Sequence, residues 1–532
     1  MNISSITDQP QNRNHSNDFR IDPKGLRRPL GSLLLILLFV LAYAQAPLFT
    51  SNQNQYFLHG MARAGMGSLA SDWLVSTLDP TPVFSFLIYL IFSITRWKEI
   101  FYLLYAALMG VYLFSLLGIL DHVFHLRASR GRFLLTVTAL TALHSAALRF
   151  LLARGLNPTW IFLFDGGLAG QRLLGTVFQP SAFGVFLLLS IYLFLKNHRV
   201  WAILSAVLAA TVHPTYLLAA GLLTAGYLLV TGMQERRWKQ AAGLAVLALV
   251  AVAPVVGYVY GSFAQAAQPE AAQMAAEARR ILVDFRIPHH AQIKTWFDFS
   301  SVIKLGLVAA ALVVIRKQRA LFTVLLTVTL ASAALTLAQW FIQDNTLALL
   351  FPWRPSALLV PLATALLSGA LAARLPQRWV SIQWLPAACL SALLLLALAG
   401  ILYSANDFRQ KATAPDRAML DWVAQNSSAE DIYLVPVKME NFRLETLRPV
   451  YVDFMSIPYA GPDVLTWYGR VLSTDRFYTE QPCQEVIDYV YDGDVTHIIM
   501  QRDRPFECQF LSLIYQDDAY AVYRINYRTE KD

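Results

Sequence analysis

Apolar runs long enough to be buried in lipid recur from residue 30 to residue 403, broken only by short polar stretches. A helix needs about 20 apolar residues to cross a hydrocarbon core. Runs that meet or approach this length lie at 30–49, 100–120, 133–152, 181–195, 200–212, 215–231, 241–260, 301–315, 320–341, 355–372 and 380–403. The pattern therefore predicts eleven membrane helices, of which 181–195 and 200–212 are short. Were 200–231 a re-entrant hairpin, two crossings would cancel and the topology would stand. Residues 82–95, PVFSFLIYLIFSIT, are as apolar but only fourteen long, which predicts a helix lying at the membrane surface. Residues 1–29 are polar and read as a disordered tail.

Beyond residue 403 the pattern changes to short alternating elements. In PDRAMLDWVAQNS, Met419, Leu420, Trp422 and Val423 recur at helical spacing. The runs DIYLVPV, RPVYVDF, THIIMQ and YAVYRIN are β-branched and aromatic, as strands are. The expected fold is a polytopic α-helical membrane protein with a small C-terminal α/β domain outside the membrane. Its parts are a tail, 1–29, a transmembrane domain, 30–403, and an extracytoplasmic domain, 404–532.

Composition agrees, with 56% hydrophobic and 15% charged residues. The net charge of +8 is spread over the short loops, not gathered into a tract that would grip nucleic acid. Segments 1–29, 121–132, 196–199, 232–240, 316–319 and 373–379 hold 18 Lys and Arg. The alternate segments 50–99, 153–180, 213–214, 261–300 and 342–354 are twice as long together and hold 10. The positive-inside rule puts the first set, with the N-terminus, in the cytoplasm. Arg27 and Arg28 precede an apolar run ending in Ala42–Ala46, which looks like a signal-peptidase site. A long leading tail argues for a retained span, and the next loop is outside either way. Cys483 and Cys508 fall in the outer domain, where they are expected to pair. The sequence carries no nucleotide-binding Gly-rich loop, HExxH or GxSxG motif.

The first outer loop, 50–99, concentrates polar chemistry beside the membrane. Asp72 and Asp79 are seven apart and would share a face if 69–79 were helical. Either could act as a general base or a cation ligand; otherwise Asp72 caps a short helix and Asp79 starts the turn at Pro80. Asn52, Gln53, Asn54 and Gln55 offer amides to sugar hydroxyls. His59 and Arg63 sit one helical turn apart. Farther on, Arg286, His289 and His290 occupy the late outer loop, and Arg354 stands between prolines in Phe351-Pro352-Trp353-Arg354-Pro355. Arginine suits phosphate oxygens, and neutral histidines can donate to phosphate or sugar. The plain alternative is that the arginines reach lipid headgroups. The adjacent histidines lack the close Cys or acidic partners of a metal site.

This layout resembles the GT-C superfamily of polytopic membrane glycosyltransferases, which includes protein mannosyltransferases and lipid A aminoarabinose transferases. The shared features are the long first outer loop, the Pro-started helix at Asp79-Pro80-Thr81-Pro82, the basic turn at 127–132, the late outer loop, Trp353-Arg354-Pro355 and the trailing domain. The resemblance implies transfer of a sugar from a polyprenyl-phosphate donor at the outer face of a bacterial inner membrane. An aspartate of the first outer loop would be the base, or would hold a divalent metal in the oligosaccharyltransferase branch; no organic cofactor is implied. The family's acidic pair lies soon after the first span, where this chain reads Asn52-Gln53-Asn54-Gln55. Amides cannot act as a base, so Asp72 would have to substitute.

Three readings follow: a transferase with Asp72 as base, Arg286 and Arg354 on phosphate and the amides on sugar; a non-catalytic relative that binds or moves a lipid-linked glycan; and an unrelated transporter. The partners expected are a lipid-linked sugar and membrane lipid, with the acceptor unassigned. Reporter fusions after residue 403 are expected to be active only outside the cytoplasm; a cytoplasmic signal would overturn the odd number of spans.

Overall fold

The computed structural model describes residues 23–263, 269–504 and 506–526. Each of the eleven apolar runs contains a helix. Six of these helices are long and apolar enough to cross a membrane: Ile100–Phe124, Pro214–Gln234, Trp238–Ser262, Arg319–Ile342, Ser356–Arg374 and Leu385–Ala412. A seventh span, Arg130–Leu143 with Ala146–Gly155, is bent by 47°. Ser145 lies in the break and caps the second half through the Leu148 amide. The other four runs form Pro23–Tyr43, of which Gly31–Tyr43 is the apolar part, and the shorter helices Pro180–Leu195, Arg199–Val212 and Phe299–Ile315. Among the described residues the helices long enough to span thus number six or seven by length and composition, and the eleven expected from hydropathy are not confirmed as full spans. Hydropathy counts buried helices with lipid-facing ones: Pro180–Leu195 and Arg199–Val212 pack together inside the main core through Leu187, Ile191, Ala206 and Ala210.

Close packing between the first and last long helices depends on Gly400. A side chain there would collide with the Leu41 carbonyl. Pro82–Ile94 is a 13-residue helix, about 20 Å long at 1.5 Å per residue, too short to cross. It buries Phe84, Ile88 and Phe92 and exposes Phe86, Leu90 and Ile94.

In the tail, Arg417–Asn426 is helical as its spacing predicts. The sheet has strands β1 (Tyr433–Leu434), β2 (His497–Gln501), β3 (Leu511–Gln516) and β4 (Tyr520–Ile525), in the order β1-β2-β4-β3. β1 pairs parallel to β2, and β4 runs antiparallel to both neighbours. RPVYVDF, expected to be a strand, meets β1 only at a Tyr433–Val450 bridge. Pro449 has no N–H for a ladder, and the Val450 amide is spent elsewhere, on Asp72. β3 went unanticipated because Leu511–Gln516 shows no alternation: Ser512, Leu513 and Ile514 are all exposed.

The Pro269–Ile281 helix packs on Gly461–Glu480 of the tail. Ala278, Ile281 and Leu282 share a core there with Val464 and Trp467. Cys483 and Cys508 are disulfide-bonded, with Cα atoms 5.3 Å apart. Changing both to serine is expected to cost the tail about 3 kcal/mol in the chain-entropy estimate for this loop. Urea-dependent proteolysis of the tail measures it.

Candidate active site

The loop 50–99 is held by its acids. Asp72 is 1% exposed, extended between two single helical turns, Leu69–Ser71 and Trp73–Ser76. Residues 69–79 are therefore not one helix, and Asp72 and Asp79 do not share a face. Asp72 Oδ1 accepts the Leu74 amide at 3.0 Å. Its Oδ2 accepts Arg443 Nε at 2.6 Å and the Val450 amide at 3.0 Å. Arg443 is 2% exposed and also donates to Asp453. A base must offer an open lone pair to a substrate-sized space. Asp72 has both oxygens occupied inside protein, an arrangement that anchors the loop to the tail and corrects the expectation of a proton acceptor there.

Asp79 starts its turn: Oδ1 accepts the Thr81 amide at 2.9 Å, and Arg63 lies 3.8 Å from Oδ2. Arg63 is otherwise half exposed, and His59 bonds the Thr77 carbonyl at 3.3 Å. His59 and Arg63 thus steady residues 77–79 and do not form a joint ligand. Asn52 opens the Gln53–Tyr56 helix without capping it through its side chain. Gln53 is structural, bonding the Phe49 amide and the Phe178 carbonyl.

A second group of residues converges. Gln55 donates to the Tyr459 hydroxyl at 2.8 Å, and Tyr459 bonds Tyr56. Burial pushes the Tyr56 phenol up, while Arg354 and Arg286 both pull it back, so both guanidinium groups face this tyrosine. Arg354 donates to Gln171 Oε1 and lies 4.8 Å from the Tyr216 ring. Trp353, 1% exposed, fixes the turn by donating to the His290 carbonyl at 3.0 Å. Arg286 sits in a wide π-turn, Leu282–Arg286, donates to the Met455 carbonyl at 2.8 Å and lies over Phe454. Burial pulls its guanidinium down, against Tyr459, Asp453, Glu440 and Tyr56.

Among the described residues, the buried arginines Arg149, Arg199 and Arg443 each face a carboxylate. Arg286 and Arg354 form no salt bridge, and each keeps a buried Nε without a partner. A buried guanidinium without a salt bridge is costly, and two that both act on Tyr56 offer an anion unused donors. His290 shares this wall. Its Nδ1 contacts the Ala169 carbonyl at 2.5 Å, and burial with the neighbouring His289 lowers its pKa to about 3, so it is neutral at pH 7. Burial and Arg286 also lower His289. Beside Arg354 opens a groove of about 380 Å³ lined by Trp296, Val308, Leu337, Trp340, Trp353 and Lys304. Its wall is almost wholly apolar. Among the described residues no three His, Cys, Asp or Glu side chains converge as metal ligands, so the site does not fit the divalent cation of the oligosaccharyltransferase branch.

Of the residues singled out in the sequence, Arg286, Arg354 and His290 lie in this region, together with Tyr56, Tyr459 and Gln171, which the sequence did not mark; nor did it mark Arg443. Arg354 could be read from its flanking prolines. The tyrosines are ordinary locally and meet only through contacts some 400 positions apart.

With this geometry, comparisons give the fold. The chain is similar to the crystal structure of ArnT from Cupriavidus metallidurans bound to undecaprenyl phosphate, at 13% identity and TM-score 0.50, covering 94% of this chain and 98% of that one. The same enzyme in the apo state aligns at 14% identity and TM-score 0.46 over the same shares. The chain therefore shares the overall fold of ArnT. A domain of unknown function, DUF6798, matches residues 414–473, which include Arg443, Asp453 and Tyr459. No curated protein matches in sequence.

Asp72→Asn and Arg443→Ala are each expected to destabilise the protein, Arg443→Ala by about 3–5 kcal/mol because it leaves buried carboxylates uncompensated. Combining Asp72→Asn with Arg443→Met is expected to cost less than the two changes summed, as in any coupled pair. Thermal unfolding in detergent reads both.

Proposed function

We propose that this chain is a GT-C-type membrane protein that handles a polyprenyl-phosphate-linked sugar at the outer face of a bacterial inner membrane. The observation that carries the reading is the pair Arg286 and Arg354, buried, in no salt bridge among the described residues and each with a buried Nε that lacks a partner. Guanidinium groups take phosphate oxygens in charge-assisted hydrogen bonds, the strong class. The apolar groove next to Trp353 supplies a place for the chain of such a lipid. ArnT, which shares the fold, was solved with undecaprenyl phosphate bound. Neutral His290 and the Gln55, Tyr56 and Tyr459 cluster would face the sugar side with donors and acceptors that add no charge.

The second reading, a non-catalytic binder of lipid-linked glycan, is favoured by two facts about the first loop. Its amides stand where the family has acids, and Asp72 is committed to Arg443. Asp72 is best assigned to holding the loop.

Arg286→Ala and Arg354→Ala are each expected to weaken binding of undecaprenyl phosphate at least tenfold, about 1.4 kcal/mol, in liposome or nanodisc binding by native mass spectrometry. Lysine at either position should recover part of the loss, since it restores charge without the planar fork. Unchanged binding in both alanine variants would remove the phosphate assignment.

A further inference from the structure

A polar cavity of about 360 Å³ lies beside this site and is not used by it. Three segments wall it: the chain leaving the first helix, with Phe49 and Asn54; the outer end of Leu385–Ala412, with Asp407 and Lys411; and a tail turn with Lys438 and Glu440. Asn54 is 2% exposed, and its Oδ1 is buried with no partner. Leaving such an acceptor unsatisfied costs about 1–3 kcal/mol. Lys411 cannot supply the missing donor, because it is taken by Glu445 at 2.5 Å and by the carbonyls of Leu48 and Phe49.

The two carboxylates on this wall differ from their neighbours. Glu445, a turn away, is held by Lys411 and by Arg417 at 3.1 Å. Among the described residues Glu440 and Asp407 have neither a hydrogen bond nor a salt bridge. The cavity therefore presents open acceptors, Asn54 Oδ1 and two carboxylates, and calls for a ligand that brings hydroxyl donors. Glu440 also faces the phosphate site. Burial and Asp453 hold its carboxyl above the usual range, and Arg286 draws it back down. A carboxylate raised by burial is a better proton acceptor than a solvated one.

We propose that this cavity receives the acceptor hydroxyl and that Glu440, carried by the tail, takes its proton. The inference rests on the phosphate reading of Arg286 and Arg354. In the step, the hydroxyl proton passes to the Glu440 carboxylate as the oxygen attacks the anomeric carbon of the lipid-linked sugar. The new carbon–oxygen bond forms as the bond from that carbon to the phosphate oxygen breaks. The electron pair leaves with the polyprenyl phosphate, whose added charge falls between Arg286 and Arg354. Glu440 then returns its proton to water. Asn54 orients the incoming hydroxyl by accepting from it or from a neighbouring hydroxyl. The tail thus supplies the carboxylate that the first loop, with amides at 52–55, does not.

The test uses the full chain in liposomes with undecaprenyl-phosphate-linked [¹⁴C]glucose, mannose and aminoarabinose, and water and glycerol as acceptors. Wild type is expected to release or transfer sugar from at least one donor. Glu440→Gln is expected to lower that rate at least ~100-fold, with undecaprenyl phosphate binding unchanged and the rise of rate with pH flattened. Adding Asn54→Asp to Glu440→Gln sets a carboxylate on the opposite wall and is expected to recover about tenfold of the loss. A Glu440→Gln rate equal to wild type overturns the proposal, as does a wild type that binds undecaprenyl phosphate but turns over none of the donors. A wild type that fails to bind undecaprenyl phosphate sinks the phosphate reading instead.

Discussion

A buried arginine between two buried aspartates joins the two halves of this protein. Arg443 comes from the tail, Asp72 from the loop after the first helix, and Asp453 from the tail again. Removing Arg443 strands two carboxylates where water cannot reach them, and removing either aspartate leaves buried donors of Arg443 without an acceptor. The bridge is extended by main-chain bonds: Asp72 also accepts from Val450, Asp453 accepts from Ser456 at 2.7 Å, and the Asp453 carbonyl accepts from Trp467. Gly67 fits into the same contact, in the left-handed conformation with φ +56° and against Leu447, where a side chain would collide. The first loop and the residues around Met455 and Tyr459 are thus set as one piece. Arg286 is positioned by Met455, and Tyr56 by Tyr459, so the polar site inherits its geometry from this bridge.

Much of the architecture is legible in the sequence because lipid and water sort residues coarsely. Every apolar run contains a helix, and Pro82–Ile94 is, as its sequence predicts, too short to cross. Hydropathy fails where a helix is short yet buried by protein, as in Pro180–Leu195. Its apolar residues are satisfied by neighbouring helices and not by lipid. In the tail, helix spacing is a local property and reads correctly at Arg417–Asn426. Pairing is not local, which is why Arg448–Phe454 looks like a strand but lends its amide to Asp72.

The site shows the same division. Arg354 is marked by its prolines and Arg286 by its place in an outer loop. Asp72 misled because a carboxylate beside a membrane looks catalytic until its partner is known, and that partner lies 371 positions away. Within one sequence a free carboxylate and a paired one are written alike. Glu440 and Glu445 are five residues apart, and only the fold shows that one is bound by two cations and the other by none.

The π-turn at Leu282–Arg286 has a consequence for register. A wide turn holds one residue more than a regular helix needs, and each residue advances a helix by about 100°. Loss of a single residue between 282 and 286 would let the segment relax into ordinary helix. Ala278 and Ile281 could keep their seats on the tail, while Arg286 would rotate away from Met455 and Tyr56. The position of a charge central to the site is therefore set by an insertion in the chain, and it is more exposed to a one-codon deletion than to most substitutions around it.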